Sequence, residues 1–123
     1  MSKSASWPET PERLPIPVVD NHCHMDMPPR DLAGMTIDEA LDRAAAVNVT
    51  RIVQVGCDLP GARWAVETAQ AFDSVVAAVA LHPNEAPRLA ESGDLEAALA
   101  EIDVLAGGGD HVRAIGETGL DYF

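Results

Sequence analysis

Residues 49–81 read VTRIVQVGCDLPGARWAVETAQAFDSVVAAVAL, and this stretch decides the fold class. Its first part, Val49–Gly56, is rich in β-branched residues and predicts a strand. Asp58 can begin a helix that runs from about Ala62 to Phe72 with apolar residues at helical spacing. Ser74–Leu81 is then almost wholly apolar, as expected of a strand covered on both faces. A strand, a helix and a strand with short connections predict a parallel β-α-β unit.

The same alternation continues on both sides of this unit. The apolar stretch Ile16–Val19 predicts a buried first strand, and Thr36–Glu39 is a capping box that begins a helix ending near Val47. Toward the C-terminus we expect a helix from about Leu95 to Leu105 and a fourth strand over Val112–Gly116. The sequence therefore predicts an α/β fold with a parallel sheet and the order βαβαβαβ.

Composition limits the classes of function. The 123 residues allow one domain or part of one, and 8 basic against 20 acidic residues give a net charge of −12. This balance disfavours electrostatic binding of nucleic acid over a broad surface, although an enzyme can still bind a phosphodiester locally through metal ions. We find no run of about 20 apolar residues and no signal peptide, so we expect a cytoplasmic protein without a membrane segment. The sequence of residues 1–15 predicts a disordered N-terminal arm, which is followed by a domain over residues 16–123.

The candidate chemistry begins at Asp20-Asn21-His22-Cys23-His24, at the end of the first strand. Side chains alternate along a strand, so His22 and His24 point to one side and can reach one metal ion. Glu117 follows the fourth strand, and the carboxyl ends of parallel strands meet at one edge. Two imidazoles and a carboxylate suit a hydrolytic divalent metal. The alternatives are polar residues that close a strand and a solvated loop carboxylate.

Other polar residues lie near the same edge, and for each of them a functional and a purely structural interpretation are possible. His82 ends the third strand and would contact substrate, transfer a proton or simply bond to backbone. Asp20 and Asp26 flank the histidines, where they would orient an imidazole or remain loop carboxylates. Asp121 and Tyr122 would line a substrate groove or lie in a solvated loop.

Three motifs carry a resemblance to a known family. DNHCHMD (20–26), ALHP (80–83) and GETGLDYF (116–123) resemble the TatD family of metal-dependent hydrolases and deoxyribonucleases in order and spacing. The resemblance covers residues 16–123. It implies the N-terminal half of a (β/α)8 TIM barrel with a two-metal site for Mg, Mn or Zn, in which Glu117 bridges the ions. It also implies hydrolysis of DNA phosphodiester bonds, with His82 near the substrate.

The family barrel is about twice as long as this chain, and the later histidines and aspartate of its metal site have no counterpart here. We therefore expect a truncated enzyme, a self-associating half or one half of a two-chain barrel, with little or no activity in isolation. Two other functions stay open. One is an amidohydrolase-like enzyme that cleaves C–N or carboxylic-ester bonds, and the other is a non-catalytic assembly or metal-binding protein.

Overall fold

The predicted alternation of strands and helices is present in a computed structural model that describes residues 7–28 and 34–122. Within these ranges the chain forms four strands and four helices. In chain order they are β1 (Val18–Cys23), α1 (Ile37–Ala46), β2 (Val49–Val55), α2 (Leu59–Ala71), β3 (Val75–Val79), α3 (Glu85–Ser92), α4 (Leu95–Ala106) and β4 (Val112–Ile115).

The four strands form one parallel sheet in the order β1-β2-β3-β4. This arrangement is part of a TIM-barrel fold and confirms the predicted α/β class. The pairing of β1 with β2 is irregular, because Asp20 pairs with Ile52 while Cys23 pairs with Gln54. β1 thus advances three residues where β2 advances two, which places a bulge at the first histidine.

The core lies between the sheet and two of the helices. Small side chains dominate it and let α2 and α4 approach the strands closely. Its buried members are Ala62, Ala65, Val66, Ala69, Val75, Ala77, Val79, Leu81, Ala98 and Ile102. The closest approach is at Gly56, where an added Cβ would lie 2.6 Å from the Cα of Ala62. Only glycine fits at this point between the end of β2 and the first turn of α2.

The edge strands differ from the prediction. The sequence predicts a buried strand over Ile16–Val19, but β1 begins at Val18 and this stretch is open. Val19 in β1 is 53% exposed, and Ile16, which precedes β1, is 65% exposed. On β4, Ile115 is 61% exposed. The physical reason is that β1 and β4 are edge strands, and each pairs with a neighbour on one side only.

The helix α3 was not predicted, so the observed order is βαβαβααβ. Pro83 and Pro87 lie in this stretch, and proline is a general signal for a turn or loop. Pro87 is the third residue of α3, in the first turn, where the backbone N–H has no helical partner and its loss costs little. The helix ends at Gly93, whose φ of 84° is the left-handed conformation typical of a helix end.

The segment 7–15 has no regular secondary structure, and its last part contacts the connection between α1 and β2. The backbone N–H of Leu14 donates to the carbonyl of Val47 over 3.1 Å, and the side-chain amide of Asn48 donates to the carbonyl of Leu14. Residues 1–6 lie outside the described residues, so the predicted arm and domain boundary remain predictions. In the described ranges no helix has the length and apolar character needed to cross a membrane.

Candidate metal centre

Asp20, the residue at which the bulge in β1 begins, stabilises the bulge through its side chain. Oδ1 of Asp20 accepts a hydrogen bond from the backbone N–H of His22 over 3.1 Å, which is the geometry of an Asx turn. A bulge leaves an N–H without a ladder partner, and Asp20 supplies the missing acceptor. The structure thus places Asp20 on the backbone of His22, and its predicted role in orienting an imidazole remains a prediction.

Three side chains converge at the carboxyl end of the sheet. Nε2 of His22 lies 3.1 Å from Nε2 of His24 and 3.1 Å from Oε2 of Glu117, while His24 and Glu117 are 3.8 Å apart through the same atoms. His22 lies in β1, His24 directly follows it, and the carboxylate follows β4 at the opposite edge of the sheet. A flat sheet would hold these strands about 14 Å apart. The sheet therefore curves enough for side chains from its two edges to meet.

The orientation of His24 is fixed from its far side. Its Nδ1 lies 2.9 Å from the carbonyl oxygen of Val55, at the end of β2. A carbonyl can only accept, so Nδ1 carries the proton and Nε2 presents a lone pair toward His22 and Glu117. A backbone carbonyl behind one ring nitrogen is the usual support of a metal-binding histidine.

His82 lies at the same site and contacts the carboxylate. Its Nδ1 accepts a hydrogen bond from the backbone N–H of Asn84 over 3.0 Å. In the neutral ring Nε2 therefore carries the proton, and it faces Oε1 of Glu117 at 3.3 Å. His82 thus holds one oxygen of Glu117 while the other faces the two imidazoles. The predicted contact of His82 with substrate remains a prediction.

The donor set fits a divalent ion. Ligand atoms at about 2.0–2.2 Å from a tetrahedral metal lie about 3.4 Å from one another. The distances of 3.1, 3.1 and 3.8 Å among His22, His24 and Glu117 bracket this value. Among the described residues these three form the group of His, Cys, Asp or Glu whose ligand atoms all lie within 4.8 Å of one another. The predicted metal ligands are therefore together, in an arrangement that a nitrogen/oxygen-preferring ion can occupy.

The remaining predicted residues lie around this group. Oδ1 of Asp26 accepts a hydrogen bond from Nε2 of Gln54 over 2.7 Å. Oδ2 of Asp121 accepts from the side chain of Asn84 over 2.9 Å, which connects the loop after β4 to the residue that supports His82. Tyr122 is 88% exposed. Their predicted roles in orienting an imidazole and lining a groove remain predictions.

Comparison with known proteins identifies the family of this chain. The sequence model of the TatD related DNase family matches residues 19–123, which include all three candidate ligands. The chain belongs to the TatD family. This confirms the resemblance inferred from the three motifs.

Similar proteins carry names of the same kind. An uncharacterized metal-dependent hydrolase TatD of Mycobacterium tuberculosis is 41% identical over 107 residues, 86% of this chain and 38% of the relative. YabD of Bacillus subtilis, also named an uncharacterized metal-dependent hydrolase, is 37% identical over 84% of this chain and 37% of its own length. YcfH of Escherichia coli, named likewise, is 32% identical over 86% of this chain and 37% of its own. The chain thus spans less than two fifths of the TatD-type relatives it matches.

Two cysteines border the centre of this TatD family member, and both are half-buried free thiols. Burial raises the pKa of the Cys23 thiol, and the negative charge of Asp20 raises it further. Burial also raises the pKa of Cys57, with a further contribution from Glu117. Both thiols are therefore held protonated in the protein without metal, and a protonated thiol is a poor nucleophile. Sγ of Cys57 lies 3.8 Å from Nδ1 of His24, on the side of the ring away from the other ligands.

Sequence reasoning missed two residues that support the centre, Asn84 and Gln54. Asn84 follows His82-Pro83 and carries no pattern that distinguishes it from an ordinary loop residue. Gln54 did carry a signal, because it is an amide inside the apolar run Ile52-Val53-Gln54-Val55. A polar side chain in a strand covered on both faces requires a hydrogen-bonding partner, and here the partners are next to the histidines.

Proposed function

We propose that this chain provides the histidine-carboxylate half of a metal-dependent hydrolase that cleaves phosphodiester bonds of DNA. The observation that carries the proposal is the convergence of His22, His24 and Glu117 within 3.8 Å at the carboxyl end of a parallel sheet. This edge is where α/β barrels place their chemistry. Membership of the TatD related DNase family supports DNA as the substrate class.

Each residue has a defined part in the proposed mechanism. His22, His24 and Glu117 would hold a divalent metal ion. When bound, such an ion would supply Lewis-acid activation of water and of a phosphate oxygen. Nε2 of His82 faces Oε1 of Glu117, and in the proposed mechanism its proton passes to a phosphate oxygen of the bound substrate.

Recognition of DNA would be local to this centre. The net charge of −12 leaves few cations for phosphates, and two of the described arginines already have acidic partners: Arg63 pairs with Glu101, and Arg88 with Glu85. Binding should therefore depend steeply on the metal and only weakly on salt, since each phosphate neutralised by Lys or Arg adds to the salt dependence.

We further propose that the working enzyme includes more protein than these residues. The apolar side chains of the edge strands, such as Val19 and Ile115, are more than half exposed. Large apolar faces and unpaired strand edges favour association. A second copy of the chain or a further segment of barrel would cover them. We also propose a cytoplasmic location, in keeping with the free thiols Cys23 and Cys57.

The test is a double variant, H22A/H24A, with H111A as its control. His111 is exposed and precedes β4, at the opposite end of the sheet. Elemental analysis and calorimetric titration with Mn²⁺ or Zn²⁺ should show a bound metal in the parent and in H111A, and none in H22A/H24A. Hydrolysis is measured on DNA beside cyclic amides and lactones. Full metal affinity in H22A/H24A contradicts the centre, and turnover of an amide or lactone instead of DNA contradicts the substrate.

A further inference from the structure

Gln54 is a buried polar residue for which the proposed mechanism gives no role. It lies near the end of β2 and its side chain is fully buried, at 0% exposure. A buried amide is unfavourable unless its donor and acceptor are both paired. Its nearest neighbours in the strand, Ile52, Val53 and Val55, are β-branched, and such a residue at position 54 would not have this requirement.

Both ends of the amide are paired, and both partners come directly after the second histidine. Oε1 of Gln54 accepts the backbone N–H of Met25 over 2.8 Å. Nε2 donates to Oδ1 of Asp26 over 2.7 Å. The next residue of β2, Val55, accepts the Nδ1 proton of His24 through its carbonyl over 2.9 Å. Two consecutive positions of β2 therefore fix the three consecutive residues that follow β1.

This arrangement determines where the lone pair of His24 points. The chain leaves β1 at Cys23, so the residues after it have no strand ladder to hold them. With Met25 and Asp26 fixed on Gln54, the ring of His24 can reach Val55 on one side and the other two ligands on the opposite side. Without the amide, the N–H of Met25 and the carboxylate of Asp26 would each have to find another partner, and the loop would move to provide one.

We propose that Gln54 is a positioning residue of the metal centre, which acts through the Met25 N–H and the Asp26 carboxylate to orient His24. The expected change in metal affinity rests on the proposed function. The expected orientation of His24 does not, because it concerns the protein without metal. Residues that orient metal ligands change metal affinity about 10–100-fold when they are replaced.

The test exchanges the donor and the acceptor of the Gln54–Asp26 pair. In Q54E one carboxylate oxygen still accepts from Met25, but the other faces the carboxylate of Asp26, so the pair repels. In Q54E/D26N the new amide at position 26 donates to the new carboxylate at position 54, and the pair is restored with the same number of charges. We expect Q54E to bind Mn²⁺ about 10–100-fold more weakly than the parent, and Q54E/D26N to return to within about threefold. A role in filling volume alone would not produce this rescue.

A second readout uses the protein without metal. Long-range ¹H–¹⁵N spectra report which ring nitrogen of His24 carries the proton, and hydrogen exchange reports the protection of the Met25 amide. We expect the parent and Q54E/D26N to show a protonated Nδ1 and a protected amide, and Q54E to lose both. The matched control is N48G, which removes another buried amide, at the start of β2, where the backbone of Asn48 has a φ of 69° that glycine tolerates. N48G should lose stability with His24 and Mn²⁺ affinity unchanged.

The outcomes separate this inference from the proposed function. A parent that binds no Mn²⁺ but shows the tautomer and amide pattern contradicts the metal centre and supports the role of Gln54. A folded Q54E that keeps the parent's affinity and tautomer overturns the role of Gln54, whatever the function. If Q54E alone fails to fold, the exchange variant decides: a folded Q54E/D26N without the Nδ1 proton on His24 also overturns it.

Discussion

The variant G56A tests the close contact between β2 and α2 that supports the centre. A Cβ at residue 56 would lie 2.6 Å from the Cα and 2.7 Å from the N of Ala62, and 2.9 Å from the carbonyl carbon of Gly61. Ordinary contact begins near 3.4 Å, so the helix and strand must separate by about 0.8 Å. All three neighbours are backbone atoms, which cannot rotate away. We therefore expect a loss at the upper end of the usual range for overpacking, about 3 kcal/mol.

The measurement is urea unfolding of G56A, followed by circular dichroism, with Mn²⁺ titration of the folded protein. Metal affinity should also fall, because the neighbours of residue 56 hold two of the site's histidines: the carbonyl of Val55 holds His24, and the carbonyl of Cys57 accepts the backbone N–H of His82 over 2.8 Å. A stability within about 0.5 kcal/mol of the parent would refute the reasoning, since surface changes without strain stay within that range.

The matched control is G107A. Gly107 has a φ of −80°, and a Cβ there would lie 3.6 Å from the carbonyl oxygen of Val104, an ordinary contact. This variant therefore isolates the effect of alanine on the unfolded chain, which stabilises by about 0.4–1 kcal/mol. G107A should be as stable as the parent or slightly more so, with unchanged metal affinity. If G107A loses as much stability as G56A, the close contact is not the cause.

Three further predictions concern the site, a helix cap and pH. H82A should weaken Mn²⁺ binding about 10-fold in calorimetric titration, because the carboxylate that His82 holds becomes free to turn, and H111A should not. T36A removes the capping box of α1 and should lower the free energy of unfolding by about 1 kcal/mol, whereas T36S should retain most of it. The guanidinium of Arg63 lowers the pKa of Glu101, so their pairing stabilises the fold above the ordinary carboxyl pKa and is lost as pH falls through the lowered one. In urea unfolding, E101Q should therefore differ from the parent at pH 7, and the difference should shrink as the pH falls below the ordinary carboxyl pKa. A difference that stays constant across this acid range would contradict the assignment.

The parts of the fold that depend on local pattern were predictable. β2 and β3 have strong strand propensity, and parallel strands place their carboxyl ends at one edge, so the meeting of His22, His24 and Glu117 followed from position along the chain. The helix α3 was not predicted, and proline usually disfavours a helix. Pro87 is tolerated in α3 because it lies in the first turn, where its missing N–H would have no helical partner.

The partners of each site residue could not be predicted in the same way. Whether Asp20 contacts an imidazole or a backbone N–H depends on the bulge in β1, and the bulge depends on pairing with β2. The exposure of Ile115 likewise depends on what lies beside β4, which local sequence does not encode. Local pattern therefore determines which residues reach the site, while long-range pairing determines what each one contacts.

The convergence of the two edge strands has a consequence for folding. His22 and Glu117 are about 95 residues apart in the chain, so the ligand set exists only when nearly the whole chain has closed on itself. An ion that binds both residues would bind only the folded state and would therefore stabilise it by mass action. At a free metal concentration 100 times the Kd the gain is about 2.7 kcal/mol. Chelation should then lower the unfolding midpoint of the entire four-stranded unit and leave no separately stable half behind.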